Sequence, residues 1–106
     1  MIWQYFGTNI TYMQQCDVEN LQNFGNKVKE LRLNSNKSLN EFVLAKGYLT
    51  TATWSRIENG LYDFKFSTLL RVAKMLDIAP SELLDMIKLN LNFSDDWYLA
   101  LFFYSS

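Results

Sequence analysis

Apolar side chains recur at a helical spacing in this 106-residue chain. In the segment DVENLQNFGNKVKELRL (17–33) they are three or four positions apart, which places them on one face of an α-helix. These residues are Leu21, Phe24, Val28 and Leu31. The chain has only four glycines and one proline, so it favours helices with short connections. Because the charged middle of the chain shows no two-residue period of a strand, we predict an all-α fold.

Capping and stop residues mark four further helices. The sequence S-x-x-E at 38–41 is a capping box, in which the serine and the glutamate each bond the other's backbone N–H. Glycine ends helices because it adopts the left-handed conformation at low cost, and proline suits a first helical position. Either Thr50 or Thr51 can cap the third helix. We predict a compact five-helix bundle, with helices over about 17–33, 39–46, 51–59, 68–76 and 80–88.

The second and third predicted helices are short, and a tight glycine-containing turn joins them. This is helix-turn-helix geometry, in which the second helix of the pair lies in the DNA major groove. The run SLNEF…AKGYLTTATWSRIENG…FSTLLRVAKMLDIAPSELL is more specific than the spacing. From about Leu21 to Ile87 the chain resembles the Cro/phage-repressor type of helix-turn-helix domain, the XRE family. The resemblance implies a lambda-repressor-like fold and a small prokaryotic or phage-type transcriptional regulator, a repressor, that binds double-stranded DNA sequence-specifically.

The resemblance also implies roles for individual residues. An arginine late in the first helix pairs with the glutamate of the S-R-I-E segment in such domains, which predicts a structural ion pair between Arg32 and Glu58. The recognition helix, about 50–59, would present four residues to base edges: Thr51, Ala52, Ser55 and Arg56. Among them Arg56 is the strongest candidate, because a guanidinium can donate two hydrogen bonds to guanine. The candidates for phosphate contact are Lys37, Ser38, Thr50, Asn59 and Lys65. An ordinary solvated face remains the alternative for all of them.

The chain departs from the family pattern at three places. Leu39 stands where the family often has a phosphate-binding glutamine. The turn after Gly47 is one residue longer than usual, and Phe64 replaces a common loop proline. The first two differences affect how the domain docks on DNA. None of the three affects a core position.

The aromatic residues that follow Gly60 allow two interpretations. Tyr62, Phe64 and Phe66 could form a stacking platform for single-stranded nucleic acid. Alternating aromatic residues in such a loop are more often core or dimer contacts. We favour the second interpretation.

Composition excludes several classes of function. The chain has no histidine and a single cysteine, Cys16, so we predict no metal site, no disulfide and no cofactor. No nucleophile motif, phosphate-binding glycine loop or carboxylate cluster occurs, and we predict no catalytic residue and no enzyme activity. The cysteine usage fits a reducing cytoplasm. The net charge of −1 requires a nucleic-acid binder to use a local basic face.

Residues 1–16 and 97–106 carry no charged side chain and are rich in aromatic residues. We assign 1–16 to an N-terminal extension, 17–90 to the helix-turn-helix domain and 91–106 to a C-terminal extension. The first lacks a signal-peptide pattern and the last is too short to span a bilayer, so we expect no membrane association. Both could form short strands or helix ends. Their apolar surface suggests homodimer formation or, as an alternative function, an antitoxin-like module that binds another protein.

Overall fold

A computed structural model describes residues 14–93 of the chain. This part contains five helices and no strand, which confirms the predicted all-α fold. The helices are α1 (Gln15–Leu33), α2 (Leu39–Lys46), α3 (Thr51–Glu58), α4 (Phe66–Leu76) and α5 (Pro80–Asp85). The predictions for residues 1–13 and 94–106, including short strands or helix ends, lie outside the described residues.

Three helix boundaries differ from the predicted ones by two residues or more. The first helix, α1, begins two residues early, where the Gln14 backbone N–H donates to Asp17 Oδ2 at 3.2 Å. It therefore contains the buried Cys16, which we had assigned to the N-terminal extension. Similarly, α4 begins at Phe66 rather than Thr68. The last helix, α5, ends at Asp85, because the next backbone N–H groups bond carbonyls only three residues back and the final turn tightens.

The predicted caps of α2 and α3 are present. Ser38 Oγ accepts from the Glu41 N–H at 3.2 Å, and the Ser38 N–H donates to Glu41 Oε1 at 3.0 Å. Gly47 ends α2 with φ of 76°, a left-handed conformation that glycine adopts without steric cost. At the start of α3, Thr50 is the cap, and its Oγ1 accepts from the Thr53 N–H at 3.1 Å.

The core collects one face of each helix. Its fully buried members include Val28 of α1, Trp54 of α3 and Val72 of α4. The Phe42 ring of α2 lies on Trp54, with ring centroids 5.0 Å apart. Ala45 is exposed, and on α4 Met75 is more deeply buried than Leu76.

The backbones of α1 and the end of α3 lie close together at two glycines. A Cβ added to Gly25 would lie 2.6 Å from the carbonyl oxygen of Glu58, nearer than real Cβ atoms come to backbone. A Cβ added to Gly60 would lie 2.9 Å from Gln22 Cα. The absent side chains at these two glycines allow α1 to lie directly on the end of α3.

The segment after α5 returns to α1. Asn20 Nδ2 donates to the Asn90 carbonyl at 2.8 Å, and the Asn90 N–H donates back to Asn20 Oδ1 at 2.7 Å. This reciprocal pair fastens the segment near the predicted domain end. On the same segment Leu89, Leu91 and Phe93 remain largely exposed.

Candidate nucleic-acid interface

The helix predicted to read DNA, α3, has one buried and one open side. Trp54, Ile57 and Glu58 are buried. Ala52 and Arg56 are exposed, and their spacing of four residues places them next to each other along the helix. The other two predicted base-contact residues, Thr51 and Ser55, are half-buried at the edges of the open side. All four predicted residues therefore reach the surface to different degrees.

An ion pair anchors the buried side to α1. Arg32 Nε donates to Glu58 Oε2 at 2.6 Å, and Arg32 Nη2 donates to Glu58 Oε1 at 3.0 Å. Each residue is only 6% exposed. The two parallel, charge-assisted hydrogen bonds restrict both distance and rotation between the two helices. The resemblance implied this pair, and the structure contains it.

Trp54 adds a third hydrogen bond to the same carboxylate. Its indole Nε1–H donates to Glu58 Oε2 at 2.6 Å from one turn earlier on α3. The buried carboxylate thus has three donors for its two oxygens, which meets the usual requirement for a charge away from water. Trp54 thus both packs in the core and donates a hydrogen bond. The spacing of Trp and Glu at i and i+4 was the available signal for the hydrogen bond.

Arg32 also fixes the chain that leads into α2. Its Nη1 donates to the backbone carbonyl of Lys37 at 3.2 Å. Sequence reasoning missed this contact. The hydrogen bond from Arg32 to Glu58 raises the pKa of Arg32 above its ordinary value, and burial acts in the opposite direction. A permanently charged guanidinium therefore links α1, the start of α2 and α3.

The predicted phosphate contacts fall into two groups, according to whether their polar atoms already form hydrogen bonds within the protein. The lysines Lys37 and Lys65 are exposed and form no ion pair within residues 14–93. In contrast, the Thr50 hydroxyl bonds both the N–H and the hydroxyl of Thr53. Asn59 Nδ2 donates to the Ser55 carbonyl at 2.9 Å. The lysines are free to meet an anion, whereas Thr50 and Asn59 also complete the ends of α3.

Ser38, the remaining phosphate candidate, is held in the capping box of α2. Its backbone N–H is occupied by the Glu41 carboxylate, and the Ser38 hydrogen bonds lower the pKa of Glu41. The Ser38 hydroxyl accepts from the Glu41 N–H and also hydrogen-bonds the Glu41 carboxylate. Both polar groups of Ser38 therefore already serve the cap of α2.

The aromatic loop between α3 and α4 does not form one platform. The Phe64 ring packs on Phe24 of α1, with centroids 4.9 Å apart, and Tyr62 lies 6.3 Å from Phe64. Both are half-buried against the core. Phe66, by contrast, is 73% exposed at the start of α4. Two of the three rings therefore pack on the protein.

Residues 14–93 contain no helix that is both long and apolar enough to cross a membrane. The same residues contain no group of three or more His, Cys, Asp or Glu side chains placed to hold a metal ion. Neither finding extends to the ends of the chain.

Comparisons with known proteins place this geometry in a family. A sequence model of the Cro/C1-type HTH DNA-binding domain matches residues 27–88, more than half of the chain. A solved structure, the restriction-modification controller protein C.AhdI from Aeromonas hydrophila, matches with a TM-score of 0.55 and 29% identity. The match covers 61% of this chain and 97% of that one. A search of curated proteins gave no match. The chain thus belongs to the Cro/C1-type helix-turn-helix family of DNA-binding transcriptional regulators.

Proposed function

We propose that this protein binds a specific double-stranded DNA sequence through α3 in the major groove and acts as a repressor or control protein. One observation carries the proposal. Arg56 and Ala52 lie on the open side of a short helix whose opposite side is anchored by a buried ion pair. A rigidly held helix with a free polar side suits the reading of base edges. The likeness to a restriction-modification controller protein supports a regulatory role.

Arg56 is the main base-reading residue in this proposal. Its guanidinium forms no hydrogen bond or ion pair with residues 14–93, so both donors needed for guanine are available. The Ala52 methyl, one turn earlier, suits contact with a thymine methyl. The hydroxyls of Thr51 and Ser55 add hydrogen bonds at the edges of the helix. Lys37, Ser38, Thr50, Asn59 and Lys65 bond the flanking phosphates.

A single α3 of eight residues offers few base contacts. Domains of this type gain affinity by binding as two-fold dimers to half-sites about 34–36 Å apart, one turn of DNA. We therefore propose a homodimer on a pseudo-palindromic site. In this homodimer the two copies of Arg56 lie one DNA turn apart.

The test combines selection of bound sites from random duplex DNA with the variant Arg56→Ala. If Arg56 reads a base, the variant loses about 1–3 kcal/mol of discrimination at one base pair of each half-site. Lys29→Ala, which removes an exposed cation from α1, is the control and keeps the full discrimination. Equal loss on all sequences would make Arg56 a phosphate contact instead.

A second candidate function is a protein–protein module of the antitoxin type. The exposed side chains of Leu89, Leu91 and Phe93 favour it, because together they offer an apolar surface where the C-terminal extension begins. Salt dependence separates the two functions. A DNA binder that neutralises several phosphates loses about 10³–10⁵ in affinity between 50 and 200 mM salt. Binding to random duplex DNA that is insensitive to salt contradicts the DNA proposal.

A further inference from the structure

A groove lies between the turn that joins α2 to α3 and the outer side of α4. We call it the α4 groove; it is lined by Tyr48, Ser67, Leu70, Arg71 and Lys74. The four α4 residues occupy positions i, i+3, i+4 and i+7, so they form one stripe along the helix. All five lining residues are exposed. None of these residues is among the proposed DNA contacts.

The α4 groove combines positive charge with an apolar wall. Arg71 and Lys74 supply two cations, no carboxylate lines the groove, and neither cation forms an ion pair within residues 14–93. Leu70 is 39% exposed and Tyr48 is 48% exposed. Such a surface complements a segment in which acidic and aromatic side chains are adjacent, because the carboxylates meet the cations while a ring covers Leu70.

The chain itself contains such a segment. Asp95 and Asp96 are its only adjacent pair of acidic residues, and Trp97 and Tyr98 follow directly. We propose that residues 95–98 of a second copy of the chain bind in the α4 groove, with the two carboxylates on Arg71 and Lys74 and Trp97 against Leu70. This inference rests on the homodimer proposed above and names the contact that forms it.

The anchoring of the preceding segment limits how far residues 95–98 of the same copy can reach. Asn90 is fastened to Asn20 on α1, and Asp95 follows Asn90 by five residues, a reach of at most about 18 Å. The α4 groove is built instead from α4 and the α2–α3 turn. A second copy can deliver the acidic segment to the groove without releasing Asn90 from Asn20. In a two-fold dimer each copy then gives one segment and receives one.

Reversal of the charges in the α4 groove or in residues 95–96 of the full chain tests the proposal. The groove variant is Arg71→Glu with Lys74→Glu, and the segment variant is Asp95→Lys with Asp96→Lys. Dimer dissociation constants are measured by sedimentation at low salt. We expect each variant alone to dimerise at least tenfold more weakly than the natural chain. An equimolar mixture restores association, because both contacts in the mixed dimer again join opposite charges.

The association measured for the equimolar mixture decides whether the proposed contact exists. If it associates no better than the separate variants, or if the natural chain stays monomeric, the proposed contact is wrong. Circular dichroism checks folding, and Arg71→Gln with Lys74→Gln replaces the groove variant if the charge reversal unfolds the domain. If the monomeric groove variant binds a single DNA half-site more weakly than the natural chain does, Arg71 and Lys74 are phosphate contacts. That result overturns the inference. Failure to select any DNA site contradicts the proposed function alone and leaves the association result intact.

Discussion

The two sides of α3 are held by very different sets of interactions. On the buried side Glu58 accepts three hydrogen bonds, from Arg32 and Trp54, and Ile57 is 1% exposed. On the open side the Arg56 guanidinium has no bonded partner within residues 14–93. A helix of eight residues is too short to be stable alone in water, so its buried side must hold it. The side chains on the open side are therefore not needed to hold the helix in place.

This difference means that stability and recognition can be changed separately on one short helix. It also explains why the anchor is ionic and hydrogen-bonded rather than apolar alone. Directional bonds restrict the rotation of α3 about its axis, whereas apolar contacts restrict mainly its distance from the core. The orientation of Ala52 and Arg56 depends on that rotation. Four substitutions test the separation, from the largest expected effect on stability to the smallest.

The largest effect is expected for Arg32→Ala. Removing the guanidinium leaves the Glu58 carboxylate buried without its charge partner, which costs about 3–5 kcal/mol. Chemical denaturation measures the change in the free energy of unfolding. Lys27→Ala, which removes the half-buried lysine paired with the exposed Glu30, is the matched control and costs at most about 1 kcal/mol. Equal costs for the two variants would show that Arg32 does not anchor α3.

Gly25→Ala tests the close approach of α1 to α3. The new Cβ would meet the carbonyl oxygen of Glu58, and relief of the overlap costs about 1–3 kcal/mol although alanine favours helices. Asn26→Ala adds no such contact at an exposed neighbour and leaves stability nearly unchanged. Both are measured by thermal unfolding. A Gly25→Ala variant with a raised Tm would contradict the close approach.

Thr50→Ala examines the start of α3, where the two sides meet. Its hydroxyl caps the helix by accepting from Thr53, and its loss costs about 1 kcal/mol. Thr51→Ala removes the same kind of side chain one residue later, at a position without a capping bond, and costs less. Denaturation curves of the two variants under one condition decide the difference. If Thr51→Ala is the costlier change, the cap has been misassigned.

The smallest stability effect is expected for Arg56→Ala. An exposed side chain without partners changes the free energy of unfolding by less than about 0.5 kcal/mol. The same variant loses base-pair discrimination under the proposed function, so one substitution separates the two sides of the helix. A loss of more than about 1 kcal/mol in denaturation would mean that the open side also stabilises the fold.

Local signals predicted the helix ends well where the cap lies within one turn of chain. The capping box of Ser38 and Glu41 and the stop at Gly47 depend on neighbours three or four residues away, and the start at Pro80 depends on the fixed φ of the proline itself. Prediction failed at the end of α5, because there a tightened final turn, invisible in the periodicity, ends the helix while Ile87 stays buried. It also failed at the start of α1, where Gln14 and Asp17 lack a standard S/T-x-x-E signature.

The sequence by itself determined the all-α class, the order of the five helices and the family, because periodicity, caps and motif residues are all local patterns. It also indicated which residues of α3 face away from the core. Only the tertiary structure decided which distant groups meet. Asn20 bonds Asn90 across 70 positions, and Arg32 reaches the Lys37 carbonyl in addition to Glu58, the partner that the family resemblance had implied. Periodicity states which face of a helix is buried, but the partner on that face depends on how the helices cross, and crossing angles follow from the packing of all five at once.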